Sequence, residues 1–251
     1  MSLEVKHLTH TYSAGSAFQA TAVHDVSLTI EDGEFVCIVG HTGSGKSTLV
    51  QHLNGLLKPT SGQVLVDGED MNGENVDRRR IRQKVGLVFQ YPEYQLFEET
   101  IAKDIAFGPK NQGLSEEEID QRVRRAMAHV HLDYDKYAER SPFDLSGGQM
   151  RRVAIAGVLA MEPKVLILDD STSAVDTKTD ALIRKAFREE IPDTTKIIIA
   201  QRVSSIEDAD QIIVLDDGKI AGVGTSEELL QTNEIYREVY ESQVKGGEED
   251  E

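Results

Sequence analysis

A chain of 251 residues, 28% charged and 39% hydrophobic, has the length and composition of one elaborated α/β domain with ample material for a core. Its formal net charge of −17, from 27 Lys and Arg against 44 Asp and Glu, argues against a nucleic-acid partner. One cysteine, Cys37, excludes an internal disulfide. With no apolar run near the ~20 residues of a membrane span, and no apolar centre in Met1-Ser2-Leu3-Glu4-Val5-Lys6, the sequence predicts a soluble protein of a reducing compartment, the cytoplasm.

In chain order, short apolar alternations at 2 to 8 (Leu3, Val5) and 22 to 30 (Val23, Val26, Leu28, Ile30) predict two antiparallel strands. Asp32-Gly33 turns into a buried strand, Phe35-Val36-Cys37-Ile38-Val39, with Cys37 as a small apolar side chain. A helix is expected from Ser47 to Leu57, stopped by Lys58-Pro59, followed by a strand at 63 to 66. The basic run Arg78-Arg79-Arg80-Ile81-Arg82-Gln83-Lys84 reads as a solvated helix face ahead of a strand at 85 to 89. From Tyr91 to Glu162 the pattern is mainly helical, with a capping box at Ser115 and Glu118. Strands at 165 to 168, 196 to 199, 211 to 215 and 218 to 223 then alternate with a helix at 177 to 190. That order predicts a largely parallel sheet covered by helices. Thr225 and Glu228 open closing helices that reach about Gln243, and an acidic tail occupies 245 to 251.

Between the strand at 35 to 39 and the helix that follows lies Gly40-His41-Thr42-Gly43-Ser44-Gly45-Lys46-Ser47-Thr48, with the spacing of a phosphate loop. Glycines there allow backbone N–H groups to surround phosphate oxygens, Lys46 supplies a positive charge, and the Ser47 hydroxyl suits Mg²⁺. Val165-Leu166-Ile167-Leu168-Asp169 is an apolar strand ending in a carboxylate, and paired with the loop it predicts that Asp169 and Ser47 hold the metal. Gln90, at the end of another strand, is either a contact to the metal and γ-phosphate or an ordinary strand-to-loop residue. Leu145-Ser146-Gly147-Gly148-Gln149 precedes a helix and is either a second anion site or a glycine-rich N-cap.

Together these motifs resemble the ATP-binding subunits of ABC transporters over essentially the whole chain. The resemblance implies a P-loop NTPase (RecA-like) core, an antiparallel β subdomain, and a helical subdomain at about 91 to 162. It makes residues 40 to 48 the ATP and Mg²⁺ cradle, Gln90 the Q-loop, Leu145 to Gln149 the signature motif, Val165 to Asp169 the Walker B strand, and Ser173-Ala174-Val175-Asp176 the D-loop. It also implies that Tyr12, in the loop after the first strand, stacks on adenine. The partners it implies are a second cassette, arranged head to tail across ATP, and a transmembrane subunit that holds the chain on the inner face of the membrane.

Two residues depart from the family's catalytic pattern. Asp170 stands where the resemblance expects a Glu that polarises the attacking water, and one methylene less withdraws the carboxylate by roughly 1 Å, a displacement that can cost ~10²-fold. Gln201 stands where a switch His is expected, and glutamine carries no positive charge. The expectation is tight Mg-ATP binding with slow hydrolysis. Wording up to about Met161, such as Val88-Phe89-Gln90-Tyr91-Pro92-Glu93, resembles energy-coupling-factor ATPases. From about Val165, Asp169-Asp170-Ser171-Thr172 and Ile199-Ala200-Gln201-Arg202 resemble the degenerate half of a heterodimeric exporter. A join near 161 to 168 is therefore expected, in a recombined or engineered chain or by natural divergence; an engineered module without transport function is the alternative reading.

Overall fold

The structure, a computed structural model, describes residues 2–74, 76–169, 185–199 and 209–247, with side-chain environments to 242. It divides into two compact units, Met1–Val85 with Thr195–Glu251, and Gly86–Thr194.

In the first unit, β1 (Leu3–Tyr12), β2 (Ala20–Ile30), β4 (Ser61–Val66) and β5 (Glu69–Asp70) form an antiparallel sheet in the order β2-β1-β4-β5. Leu3, Val5 and Leu8 are buried while Lys6 and His7 face out. β1 continues past the residue-8 end expected from alternation, because register shifts between Val5 and Leu8, Leu8 and His10, and His10 and Thr11 interrupt its two-residue period. Tyr12 is thus the last residue of a strand, paired with Ala20, rather than part of the following loop.

The second sheet of this unit centres on β3 (Phe35–Val39), whose residues 36 to 39 are wholly buried. β8 (Thr195–Ile199) and β9 (Gln211–Asp216) flank it in parallel, setting Cys37 beside Ile198 and Ile212. β10 (Lys219–Gly224) adds an antiparallel edge on β9. Burial on both faces explains the unbroken apolar run of β3.

After β3 comes α1 (Lys46–Leu53), which buries Leu49, Val50, His52 and Leu53. It stops short of the expected Leu57, at Asn54, because Gly55 takes a left-handed φ of 72° that ends the helix and Leu56 swings into solvent. The basic run is α2 (Arg78–Lys84), capped by the Asp77 carboxylate; Ile81 alone is buried, as a solvated helix face requires. The chain closes on this unit with helices Ser226–Thr232 and Glu234–Gly247, the first opened by the expected Thr225–Glu228 capping box.

The boundary between units falls inside β6 (Val85–Val88), one residue shorter than the expected strand. The second unit holds α3 (Ile101–Asn111), α4 (Glu116–His129), α5 (Tyr134–Tyr137), α6 (Gly147–Leu159) and β7 (Val165–Asp169). Thr100 caps α3, and Ser115 with Glu118 closes the expected capping box on α4. α3, α4 and α6 pack on one another, burying Ile101, Ile105, Ile119, Val123, Met127 and Ile155. Of the helix expected at 177 to 190, residues 185–189 are described and are helical.

Candidate functional site

The loop from Gly40 to Gly45 is held in a shape that only glycine permits. Gly40, Gly43 and Gly45 have φ of 147°, 84° and 98°. A Cβ at Gly40 would run into the Leu215 carbonyl of β9, and one at Gly45 into the Ala22 carbonyl of β2. The turn between β9 and β10 backs the loop directly: Gly218 N–H donates to Ser44 O at 3.2 Å, and His24 N–H donates to Gly218 O at 2.8 Å. The nearby strand β2 and the distant β9–β10 turn therefore both back the loop.

α1 begins without a side-chain cap. Its N-cap is Gly45 in the left-handed region, whereas Asp77, Thr100, Ser115, Asp133, Ser146 and Thr225 each cap a helix with a side-chain oxygen. Leu49 N–H closes the first turn on Gly45 O at 2.8 Å. The amides before it project from the helix N-terminus toward the loop, where the helix dipole favours an anion. Lys46 Nζ lies over the loop, donating to Gly40 O at 2.7 Å and His41 O at 2.8 Å, and reaching Ser44 Oγ at 3.4 Å. A polyphosphate arriving here meets a cation, a helix N-terminus and glycine backbone in one place. The Ser47 hydroxyl, on the first turn, suits the divalent cation such a ligand carries.

Tyr12 reaches this helix from β1, with its hydroxyl 3.2 Å from Thr48 Oγ1 and the residue 41% exposed, so its ring can contact a planar base. His10 and His52, which sequence reasoning did not single out, lie behind it. His52 is fully buried. Its burial holds the imidazole below the ordinary value near 6.5; the Thr48 carbonyl opposes this and His10 adds to it.

The other expected site residues belong to the Gly86–Thr194 unit. Gln90 is exposed, two residues past β6. Asp169 ends β7, buried at 5% exposure, with the carboxylate at the strand terminus that metal binding calls for. Leu145 is buried, and Ser146 starts α6 with a complete capping box: Gln149 N–H donates to Ser146 Oγ at 3.4 Å, and Ser146 N–H donates to Gln149 Oε1 at 3.0 Å. This helix end is therefore capped by its own side chains, Ser146 and Gln149, with two glycines following the cap residue. A Cβ at Gly147 or Gly148 meets nothing within 4 Å. An unexpected two-point ion pair joins α6 to the turn after Gln90, with Arg151 Nε 3.1 Å from Glu93 Oε2 and Arg151 Nη2 3.3 Å from Oε1. Asp170, Ser173 to Asp176 and Gln201 lie outside the described residues.

Comparison with known proteins gives one consistent answer. The family model described as ABC transporter matches residues 23–173. The energy-coupling factor transporter ATP-binding protein EcfA2 of Clostridium perfringens is 50% identical over 242 residues, covering 95% of this chain and 85% of that protein. EcfA2 of Clostridium tetani is 62% identical over 178 residues, 71% of this chain and 62% of the relative. Among solved structures, cbiO1 from Clostridium perfringens, part of the ABC transporter complex cbiONQ, aligns with a TM-score of 0.80 at 35% identity over 94% of this chain and 93% of its own. A bacterial Atm1-family ABC exporter with ATP bound aligns at 0.81 and 32% identity, over 96% of this chain and 41% of the exporter. The Clostridium perfringens match runs through residues 161–168, and a module without transport function is not favoured.

Proposed function

The chain belongs to the ABC transporter family as an ATPase of the energy-coupling-factor type, and from that premise we propose that it grips Mg-ATP at residues 40–48 and hydrolyses it slowly. The observation that carries the binding half is the α1 N-terminus. It has no side-chain cap, is preceded by Gly45 in a left-handed conformation, and is overlaid by Lys46.

In this reading, the amides at residues 43 to 48 and the Lys46 ammonium take the β- and γ-phosphates, and Tyr12 stacks on adenine. By the family resemblance, Ser47 and Asp169 would be the residues that hold Mg²⁺, and Gln90 the one assigned to the metal and γ-phosphate. When bound, the metal would supply neutralisation of charge on the phosphoryl oxygens. Slow turnover rests on two residues. An aspartate at 170 is one methylene shorter than a glutamate, a reach shorter by roughly 1 Å, and a glutamine at 201 carries no positive charge.

The same premise supplies the partners. A second cassette sits head to tail on the first, its signature closing over ATP, which accounts for glycines at 147 and 148 that nothing in the described chain requires. In a homodimer both sites carry Asp170 and Gln201; beside a partner with Glu and His, this signature completes a competent site. Tyr91, Tyr94, Phe97 and Phe107, all exposed in the Gly86–Thr194 unit, suit the docking of a transmembrane subunit on the cytoplasmic face. No described helix is long and apolar enough to cross a membrane.

The test is a steady-state ATPase rate for the chain beside Asp170→Glu combined with Gln201→His. A gain of about tenfold or more is expected. An unchanged rate overturns the impaired-site reading while leaving nucleotide binding intact.

A further inference from the structure

Tyr12 does not stand alone against α1. Its ring makes a T-shaped contact with His10 at a centroid distance of 4.5 Å and 79°, and His10 in turn meets His52 at 4.6 Å and 66°. The hydrogen bonds fix the protons. His52 Nδ1 lies 2.7 Å from Thr48 O, and because a carbonyl only accepts, Nδ1 carries the hydrogen. In the neutral ring, Nε2 is then an acceptor, and His10 Nδ1 at 3.1 Å donates to it, with Lys58 O at 3.2 Å as a second acceptor for the same hydrogen. Tyr12 Oη closes the circuit at 3.2 Å from Thr48 Oγ1.

Thr48 is the hinge of this arrangement. It sits on the first turn of α1, next to Lys46 and Ser47, so its amide belongs to the group that faces phosphate. Its side chain touches Tyr12 and its carbonyl touches His52. A tyrosine at the exposed end of a strand has rotamers to choose from, and stacking on a base requires one of them. His10 braces the Tyr12 ring through this T-shaped contact, and His52, fully buried, fixes His10 to α1.

We propose that His10 and His52 are positioning residues that lock Tyr12 to the phosphate-gripping helix, so that base recognition and phosphate recognition move as one piece. The inference rests on Tyr12 as the adenine-stacking residue. It predicts that the histidines govern the preference for ATP over a ligand that has phosphates and no base.

Calorimetric titration of the full chain with Mg-ATP and with Mg-inorganic triphosphate measures that preference. Tyr12→Ala should lower the ATP-to-triphosphate affinity ratio about tenfold, the size of one lost base stack. His10→Ala should lower it about fivefold or more, and should add nothing further to Tyr12→Ala. His10→Phe, which restores a ring against Tyr12, should return the ratio to within about twofold of the native chain, whereas His10→Asn should not. A native ratio in His10→Ala, or full additivity with Tyr12→Ala, overturns the proposal. So does equal weakening of both ligands, which marks a merely structural role. If His10→Ala does not fold, the comparison of His10→Phe with His10→Asn decides, since equal ratios in those two sink the brace. An unchanged ratio in Tyr12→Ala overturns the adenine reading itself, a failure distinct from that of the histidines.

Discussion

Two helices of this protein begin in glycine, and they begin differently. At α1, Gly40 and Gly45 are forced by the fold. Their φ angles are left-handed and carbonyls of β9 and β2 occupy the space a side chain would need, while the helix end carries no side-chain cap. At α6, Ser146 and Gln149 close the helix end, and Gly147 and Gly148 have open space around them. The first start has glycines that answer to the chain's own backbone. The second is a finished helix whose glycines answer to nothing within 4 Å. Glycine at a helix start thus marks a turn forced by the backbone in one place and open space in the other.

The sharpest way to break that distinction is Gly45→Ala. The substitution imposes about 1 kcal/mol of left-handed strain and drives a methyl into Ala22 O, so Mg-ATP affinity should fall ~100-fold and the melting temperature should drop. Binding at native strength would show that the loop is not preorganised. The corresponding change at the other helix, Gly148→Ala, should leave the melting temperature unchanged or raised, because alanine outranks glycine by up to about 1 kcal/mol within a helix. Its loss should appear as ATP-dependent dimerisation weakened about tenfold or more in light scattering; dimers of native strength would remove the reason for that bare surface. The smallest effect separates the units by pH. His52 is held below its ordinary value near 6.5 by burial, so below that pH the unfolded chain takes up a proton the folded chain refuses. Stability should be flat above about 6.5 and fall as pH drops below it, by at most ~1.4 kcal/mol per pH unit for this group. Half-buried His129, in the other unit, is lowered for the same first reason and acts in the same direction. His52→Phe should flatten part of the slope, and an unaltered slope would assign it to His129.

Much of this architecture was legible from the sequence. The phosphate loop, the apolar strands β3 and β7, the capping boxes at Ser115 and Thr225 and the solvated face of α2 all rest on short-range chemistry, and they stand where that chemistry put them. The box at α6 carries the same S-x-x-Q signal, though its glycines make it less conspicuous than the other two. The end of β1 was misread because its register shifts erase the alternation that marks a strand. His10 and His52 were silent because they are 42 residues apart and neither lies in a motif; only packing brings their rings together. The same holds for Arg151 and Glu93, 58 residues apart.

The backing of the phosphate loop has a consequence for how the molecule comes into being. Everything chemical about the cradle is synthesised by residue 48, yet the carbonyl that shapes Gly40 belongs to Leu215, and the amide that meets Ser44 belongs to Gly218. A nascent chain leaving the ribosome carries the motif for most of its synthesis without the turn that holds it in shape. The backing of the loop is therefore complete only once β9 has paired with β3 and the turn to β10 has formed behind Ser44.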